Sequence, residues 1–395
     1  MERQIALEGL QQTEMKASRI DGLMVLTLLM IAAGVGGGIY AQVVGHHHAF
    51  ANTRDMPWGM LIGVYAYLAI ISTGLCLMAA ISHVFHVQPL LPLANRMVWL
   101  SIIVLLGAFT VIGLEIENPW RMPIYLVTHP NVTSNIWWMG TLYGLAVALL
   151  MLEFTLIYSG RLKAAVVFGI AGAVAEMLAN TNLGSVFASL ASRPFWYGSQ
   201  LPIFFLASAL LSGAAAVILS THYSQVLSRR RLSEETALGL RLVGKFMAVM
   251  LFLIMLATTW KYVNAYCGTD DLRIAADALV RGPLSTSFWG FEIGLGLVLP
   301  FLLVTLTRFN SPQALSLAAM MVLVGQFFSR YNLVVGGVIV PQYLGYDDLP
   351  MYLSYAPTTA EYLLVIGGLG VVGFGFLIGE KGFTKLFQGQ NAEEV

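Results

Sequence analysis

Charge is what this sequence has least of. Only 11% of its 395 residues are Asp, Glu, Lys or Arg, whereas an ordinary soluble domain carries about 25%. A chain this poor in charge cannot dress a surface for water, so the solvent it is built for is lipid. That reading agrees with 57% hydrophobic residues and a mean hydropathy of +0.75. Neither sign of charge predominates, with 21 basic against 21 acidic residues, so nothing in the field of the chain points to nucleic acid. Cysteine is equally scarce. Cys76 and Cys267 form neither a CxxC nor a CxxCH pattern, which excludes a self-contained iron–sulfur cluster or c-type haem and puts any one-electron centre on a partner. No cleavable leader is expected either. The first twenty residues are polar, with Glu2, Arg3, Glu8, Glu14, Lys16 and Arg19, and the apolar run after them is long enough to span. Residues 1–20 are therefore expected to form a short amphipathic cytoplasmic segment.

What is present is a series of apolar runs of the roughly 20 residues that a membrane helix needs. They predict an all-α polytopic membrane protein with about ten transmembrane helices, at residues 22–44, 58–85, 97–114, 135–158, 164–190, 201–220, 242–266, 287–306, 314–337 and 361–379. Residues 21–395 read as a single integral membrane domain. Its first bundle lies at about 58–190 and its second at about 201–337, two four-helix bundles flanked by the helices at 22–44 and 361–379. The longer connections, where contacts outside the membrane must lie, are residues 115–134, 221–241, 268–286 and 338–360.

Basic residues orient the bundle. One side collects Arg3, Lys16, Arg19, Arg96, Arg161, Lys163, Arg229, Arg230, Arg231, Arg241, Lys245, Arg308, Lys381 and Lys385. The other has Arg54, Arg121, Arg193, Arg273 and Arg281. Both termini are expected on the basic, cytoplasmic side, and the loop from Glu117 to Asn131 on the periplasmic side.

Carboxylates at membrane depth are costly, which makes them functional candidates. At 1.5 Å per residue, Glu117, Glu176 and Glu153 form a ladder from the periplasmic end through the middle to the cytoplasmic end. Each can equally be a hydrogen bond to a neighbouring helix, and both readings stand at this level. Above Glu176, Asn180, Asn182, Ser185 and Ser189 add a polar stripe, and three of these fall on one helix face. Lys261, Glu292, Arg330 and Glu361 share a depth near the periplasmic surface and read as a neutralised ion network, for which a structural clasp is the blander account. The Gly34–Gly38 run lies inside a span and signals close helix packing rather than phosphate binding. His46, His47 and His48 are adjacent in a loop and point in different directions, so no metal site is expected. His83 and His86 share a helix, which argues against haem ligation.

Several motifs resemble a known family. Glu117-Asn-Pro-Trp-Arg121, followed by His129-Pro-Asn131-Val-Thr-Ser134-Asn-Ile-Trp-Trp138, is similar to the loop signature of the NrfD-like family, the polysulfide reductase membrane subunits. Pro57-Trp58-Gly59, Leu152-Glu153-Phe154, Gly184-Ser185, Phe288-Trp289 with Glu292, and Pro357-Thr358 with Glu361 extend the likeness over most of the chain. Ten spans and the late motifs resemble the HybB and QrcD type. Two departures are visible: Glu117 stands where Asp is usual, and Asn180 to Asn182 occupy a place where such chains carry a histidine.

The resemblance implies a quinone-interacting subunit of a respiratory oxidoreductase complex in a bacterial inner membrane. Its cofactor-like substrate is menaquinone or a related quinone, with no haem or iron–sulfur cluster in this chain. The implied partners are a periplasmic ferredoxin-like iron–sulfur subunit and a further catalytic or multihaem cytochrome subunit. On that reading Trp58, Tyr65, Glu117, Arg121 and His129 form the quinone site, and Glu153, Glu176, Asn180, Asn182 and Ser185 a proton path from the cytoplasm. The alternatives are a secondary transporter using buried carboxylates and a structural membrane anchor without a quinone site.

Overall fold

The computed structural model describes residues 2–228, 232–342 and 350–388. Arg229, Arg230 and Arg231, counted above for orientation, lie outside the described residues. The protein is an all-α polytopic membrane protein. Among the described residues, ten helices are long and apolar enough to cross a membrane: α1 (Glu2–Val44), α2 (Met60–Val84), α3 (Leu91–Glu115), α4 (Asn135–Tyr158), α5 (Leu162–Ala188), α6 (Gln200–Ser228), α7 (Glu234–Cys267), α8 (Ser287–Leu306), α9 (Pro312–Val338) and α10 (Thr359–Gly382). The end of the bundle bearing residues 116–134 is called upper here, and the opposite end lower.

Caps decide several starts. Ser134 accepts from the Trp137 amide at 3.4 Å to open α4, and Ser233 accepts from Thr236 at 3.2 Å ahead of Glu234 and Glu235 in the first turn of α7. Both satisfy amides that a helix start leaves bare, and the two glutamates suit the positive end of the helix dipole. Thr358 and Glu361 form a reciprocal capping box at α10. Two departures from the sequence expectation follow from the same physics. The amphipathic N-terminal segment is continuous with the first span rather than separate, and α7 starts eight residues before its apolar window because its polar first turns are capped.

Packing centres on α2, which touches α3, α5, α6 and α9. α4 lies on α5, α8 on α9, and α1 on α10. The α1–α10 seam uses the glycine run read above: a Cβ on Gly34 would stand 2.5 Å from the Gly367 Cα, so only glycine lets these backbones meet. Residues Ser287–Val298 of α8 are wound in wide π-type turns before Pro300. Such turns concentrate at functional sites, and this one carries Phe288, Trp289 and Glu292.

Candidate functional site

Midway along α5, Glu176 is completely buried. Its carboxylate accepts hydrogen bonds from Ser72 Oγ at 2.9 Å and Thr73 Oγ1 at 2.6 Å, both on α2. Ser72 in turn meets the Ser101 hydroxyl of α3 at 3.0 Å, so three helices converge on one carboxylate through neutral hydroxyls. Tyr65 and Tyr143 lie within electrostatic reach of Glu176, with their rings edge to face at 6.3 Å. One turn above, Asn180 is completely buried and neither amide atom has a partner, while the Tyr143 hydroxyl lies next to Thr73. Buried polar atoms are rarely left bare, so the unpartnered Asn180 amide one turn from a buried carboxylate sets this stretch of α5 apart.

Nearer the lower end of α4, Glu153 is buried, and its Oε1 stands 3.5 Å from His83 Nδ1 of α2. The carboxylate rests directly against Gly169 of α5, where any Cβ would collide with it. Cys76 lies within electrostatic reach of both Glu153 and Glu176, so the two carboxylates belong to one stretch of the first half.

The upper part of the α5 stripe has different company. Asn182 Nδ2 donates to the Asn135 carbonyl at 2.7 Å, and the Asn135 side chain reaches the Ser185 carbonyl and Ser189 Oγ, each at 3.4 Å. The Ser185 hydroxyl bonds back to Thr181 O on its own helix at 3.1 Å. These groups tie α5 to the start of α4.

The loop residues stay at the surface. Glu117, Arg121 and His129 are exposed; His129 Nδ1 sits 2.8 Å from Thr128 Oγ1, and its ring packs edge-on against Tyr125. The short helix Arg121–Thr128 buries no residue, leaving Ile124, Tyr125 and Val127 exposed beside Trp120. Trp58 packs against Phe187 and Trp196 at 5.3 and 5.2 Å. Trp196 donates to Leu333 O at 2.6 Å, and Arg193 NH1 to Val340 O at 3.1 Å, so the connection between α5 and α6 is pinned to the end of α9. Tyr65 is buried below, and the structure does not bring it into contact with Glu117, Arg121 or His129.

In the second half, the four charged residues expected to share a network divide. Glu361 is fully buried but is occupied by its own cap: it accepts from the Thr358 amide at 2.7 Å, the Ala51 amide at 3.3 Å and the Tyr355 hydroxyl at 2.6 Å. Burial and the bond to Glu361 push the Tyr355 phenol up. Glu292 accepts from Asn332 Nδ2 at 2.7 Å, and Asn332 Oδ1 accepts from Ser287 Oγ at 2.6 Å. Lys261 Nζ lies 3.9 Å over the Phe195 ring. Arg330 is completely buried over Phe205 at 4.3 Å, and none of its three guanidinium nitrogens has a hydrogen-bond partner. Among the described residues the ion pairs are His83–Glu153, Arg96–Glu380, Arg273–Asp270 and Lys381–Asp21, none of them within this set.

Sequence reasoning overlooked Ser72, Thr73, Ser101, Tyr143 and also Glu115, whose carboxylate takes a 3.3 Å bond from Asn52 at the top of α3. It also overlooked the clasp at the lower end, where Arg96 meets Glu380 at 3.0 Å and Ser224 bonds both. The Ser72-Thr73 doublet inside an apolar run was the available signal for the first group.

With this geometry in place, comparison with known proteins is direct. Residues 49–342 match the polysulphide reductase, NrfD family. The chain belongs to that family. Several relatives of this NrfD-family chain are similar along most of their length. The Hdr-like menaquinol oxidoreductase integral membrane subunit of Archaeoglobus fulgidus is 23% identical, covering 97% of this chain and 98% of its own. A selenate reductase subunit of Mesobacillus selenatarsenatis is also 23% identical, over 88% of this chain and 90% of its own. The menaquinone reductase integral membrane subunit of Nitratidesulfovibrio vulgaris is 25% identical over 83% of each.

Proposed function

We propose that this NrfD-family chain is the quinone-reactive membrane subunit of a respiratory oxidoreductase complex, passing electrons between an iron–sulfur partner on the periplasmic side and a menaquinone-type pool. Two relatives are named for menaquinol or menaquinone and a third for a reductase, which supports the class of chemistry. Within the chain, the observation that carries the reading is Glu176. A carboxylate at mid-membrane depth, held by hydroxyls with no cation in contact, suits a group that gains and loses a proton rather than one that binds a fixed counter-charge.

Quinone reduction takes up electrons and protons together, and quinol oxidation releases them. In this proposal the ring docks between Trp58 and Tyr65 at the upper end of α2–α5, and Glu117, Arg121 and His129, at the surface above, flank its entrance from the loop. Glu176 and Glu153, with His83 below, hand protons toward the lower end; Asn180, Asn182 and Ser185 continue the path upward. The exposed apolar residues around the helix Arg121–Thr128 are the seat of the partner subunit, since such a patch exposed outside the membrane calls for a protein cover. The lysine- and arginine-rich lower end faces the cytoplasm of a bacterial inner membrane, with both termini on that side.

The test is Glu176→Gln in the intact complex in proteoliposomes. Gln preserves the hydrogen-bonding shape and removes the titratable proton, so quinone turnover is expected to fall about a hundredfold, the scale of a positioned acid–base group, with assembly unchanged. Full turnover with Glu176→Gln reduces the carboxylate to a packing partner and overturns the reading.

A further inference from the structure

Away from the first half, a groove of about 580 Å³ runs along the seam of α7 and α8. That volume lies inside the range of small-molecule sites, about 300–1,000 Å³. Its two ends differ. Tyr262, Phe288 and Trp289 gather at one, with Tyr262 and Phe288 centroids 4.7 Å apart and Phe288 and Trp289 centroids 5.0 Å apart. Trp289 is locked in place by donating to Val280 O at 3.0 Å. Met255, Leu297 and Val298 make the other end purely aliphatic.

Among the described residues, no charged side chain lines the groove. A phospholipid phosphate would find no cation there, so the chemistry favours a neutral amphiphile with a flat ring and an aliphatic tail. A single unsatisfied polar group sharpens this. Thr258, 6% exposed, lines the groove, and its hydroxyl has no hydrogen-bond partner. A threonine in a membrane helix ordinarily bonds the carbonyl one turn back, as the neighbouring Thr259 does to Met255 O at 2.8 Å. Thr258 also lines a cleft of about 10 Å³ shared with Lys261, Glu292 and Asn332, close to the space of one water. The hydroxyl thus stands between an apolar slot and a buried polar cluster.

We propose that the α7–α8 groove is a second binding site, taking a neutral prenylated quinone or quinol whose ring lies among Tyr262, Phe288 and Trp289 and whose ring oxygen hydrogen-bonds the Thr258 hydroxyl. The ligand class rests on the functional reading above; the site is separate from it and fails separately. Thr258 donates to a quinone carbonyl or accepts from a quinol hydroxyl. Lys261 and Glu292 stand behind it, across the small cleft that all three line.

Cys267 provides the probe. It is exposed and lines the groove near its upper end, whereas Cys76 is buried. The complex in phosphatidylethanolamine–phosphatidylglycerol nanodiscs is labelled with a maleimide, with and without a naphthoquinone methylated at both ring positions next to its carbonyls, which leaves no site for thiol addition. The quinone is expected to slow Cys267 labelling in a saturable manner. Thr258→Val, which keeps the shape, should raise the half-protecting concentration about two- to tenfold, the equivalent of one neutral hydrogen bond. Its labelling rate without quinone should match wild type, which reports an intact fold. Glu176→Gln should keep full protection whether or not it loses turnover, so the two proposals are judged apart. Absence of protection, protection unchanged by Thr258→Val, or equal protection by added phospholipid alone would overturn the site.

Discussion

The two halves of the bundle bury their carboxylates in opposite company. In α2–α5, Glu176 meets Ser72 and Thr73 and touches no cation, and Glu153 meets a histidine. In α6–α9, Glu292 is bonded to an asparagine and has Lys261 and Arg330 within electrostatic reach. Hydroxyls can rotate to serve a carboxylate or a carboxylic acid, so the first arrangement tolerates either protonation state with little movement. The second arrangement sets two cations within reach of one anion, with neither of them in ion-pair contact with it. The lesson is that buried acids of the same type differ by their neighbours, hydroxyls around one and cations within reach of the other.

Deleting each acid separates the two cases most strongly. Glu292→Ala leaves the buried Arg330 and the half-buried Lys261 without the anion in their reach and should cost about 3–5 kcal/mol, whereas Glu176→Ala strips hydrogen-bond partners from neutral hydroxyls and should cost about 1–3 kcal/mol. Thermal unfolding of the purified chain in detergent measures both, and equal losses would erase the distinction. A smaller effect tests whether Glu153 belongs with Glu176. Gly169→Ala forces a methyl into the Glu153 carboxylate and should cost about 1–3 kcal/mol. Gly172→Ala, where the nearest atom would be an ordinary 3.6 Å away, should be close to neutral. If both substitutions melt alike, the Glu153–His83 contact is not what this glycine protects. The smallest expected effect is Asn182→Ala. It removes one interhelical bond to Asn135 and should cost about 0.6 kcal/mol, typical of such bonds in membranes; a loss of turnover far beyond that would move Asn182 from packing to proton transfer.

The spans were legible because the signal for them is additive along the chain. For α4 the apolar window and the helix coincide, since Ser134 caps one end and Ser159 closes the other. Boundaries slipped where a helix leaves the membrane with polar residues, as at Glu234–Arg241, because hydropathy reports lipid rather than backbone conformation. At the site, Glu176 and Glu153 stood out as acids in apolar runs. Ser72, Ser101 and Tyr143 did not, because hydroxyls in membrane helices usually satisfy themselves locally and only helix register brings these together. Glu115 lies two residues from Glu117, and which of the pair turns inward depends on Asn52, remote in sequence. Glu361 misled for a similar reason: depth suggested a charge network, while the backbone of its own first turn claimed the carboxylate.

The seam between α1 and α10 has a consequence for how the protein is made. α1 has α10 as its main partner, and roughly 300 residues of synthesis separate the two. At about 5–20 residues per second, α1 waits on the order of 15–60 s in the membrane with its glycine face uncovered. Any nascent chain cut short before α10 therefore leaves that face without the helix it is shaped to meet.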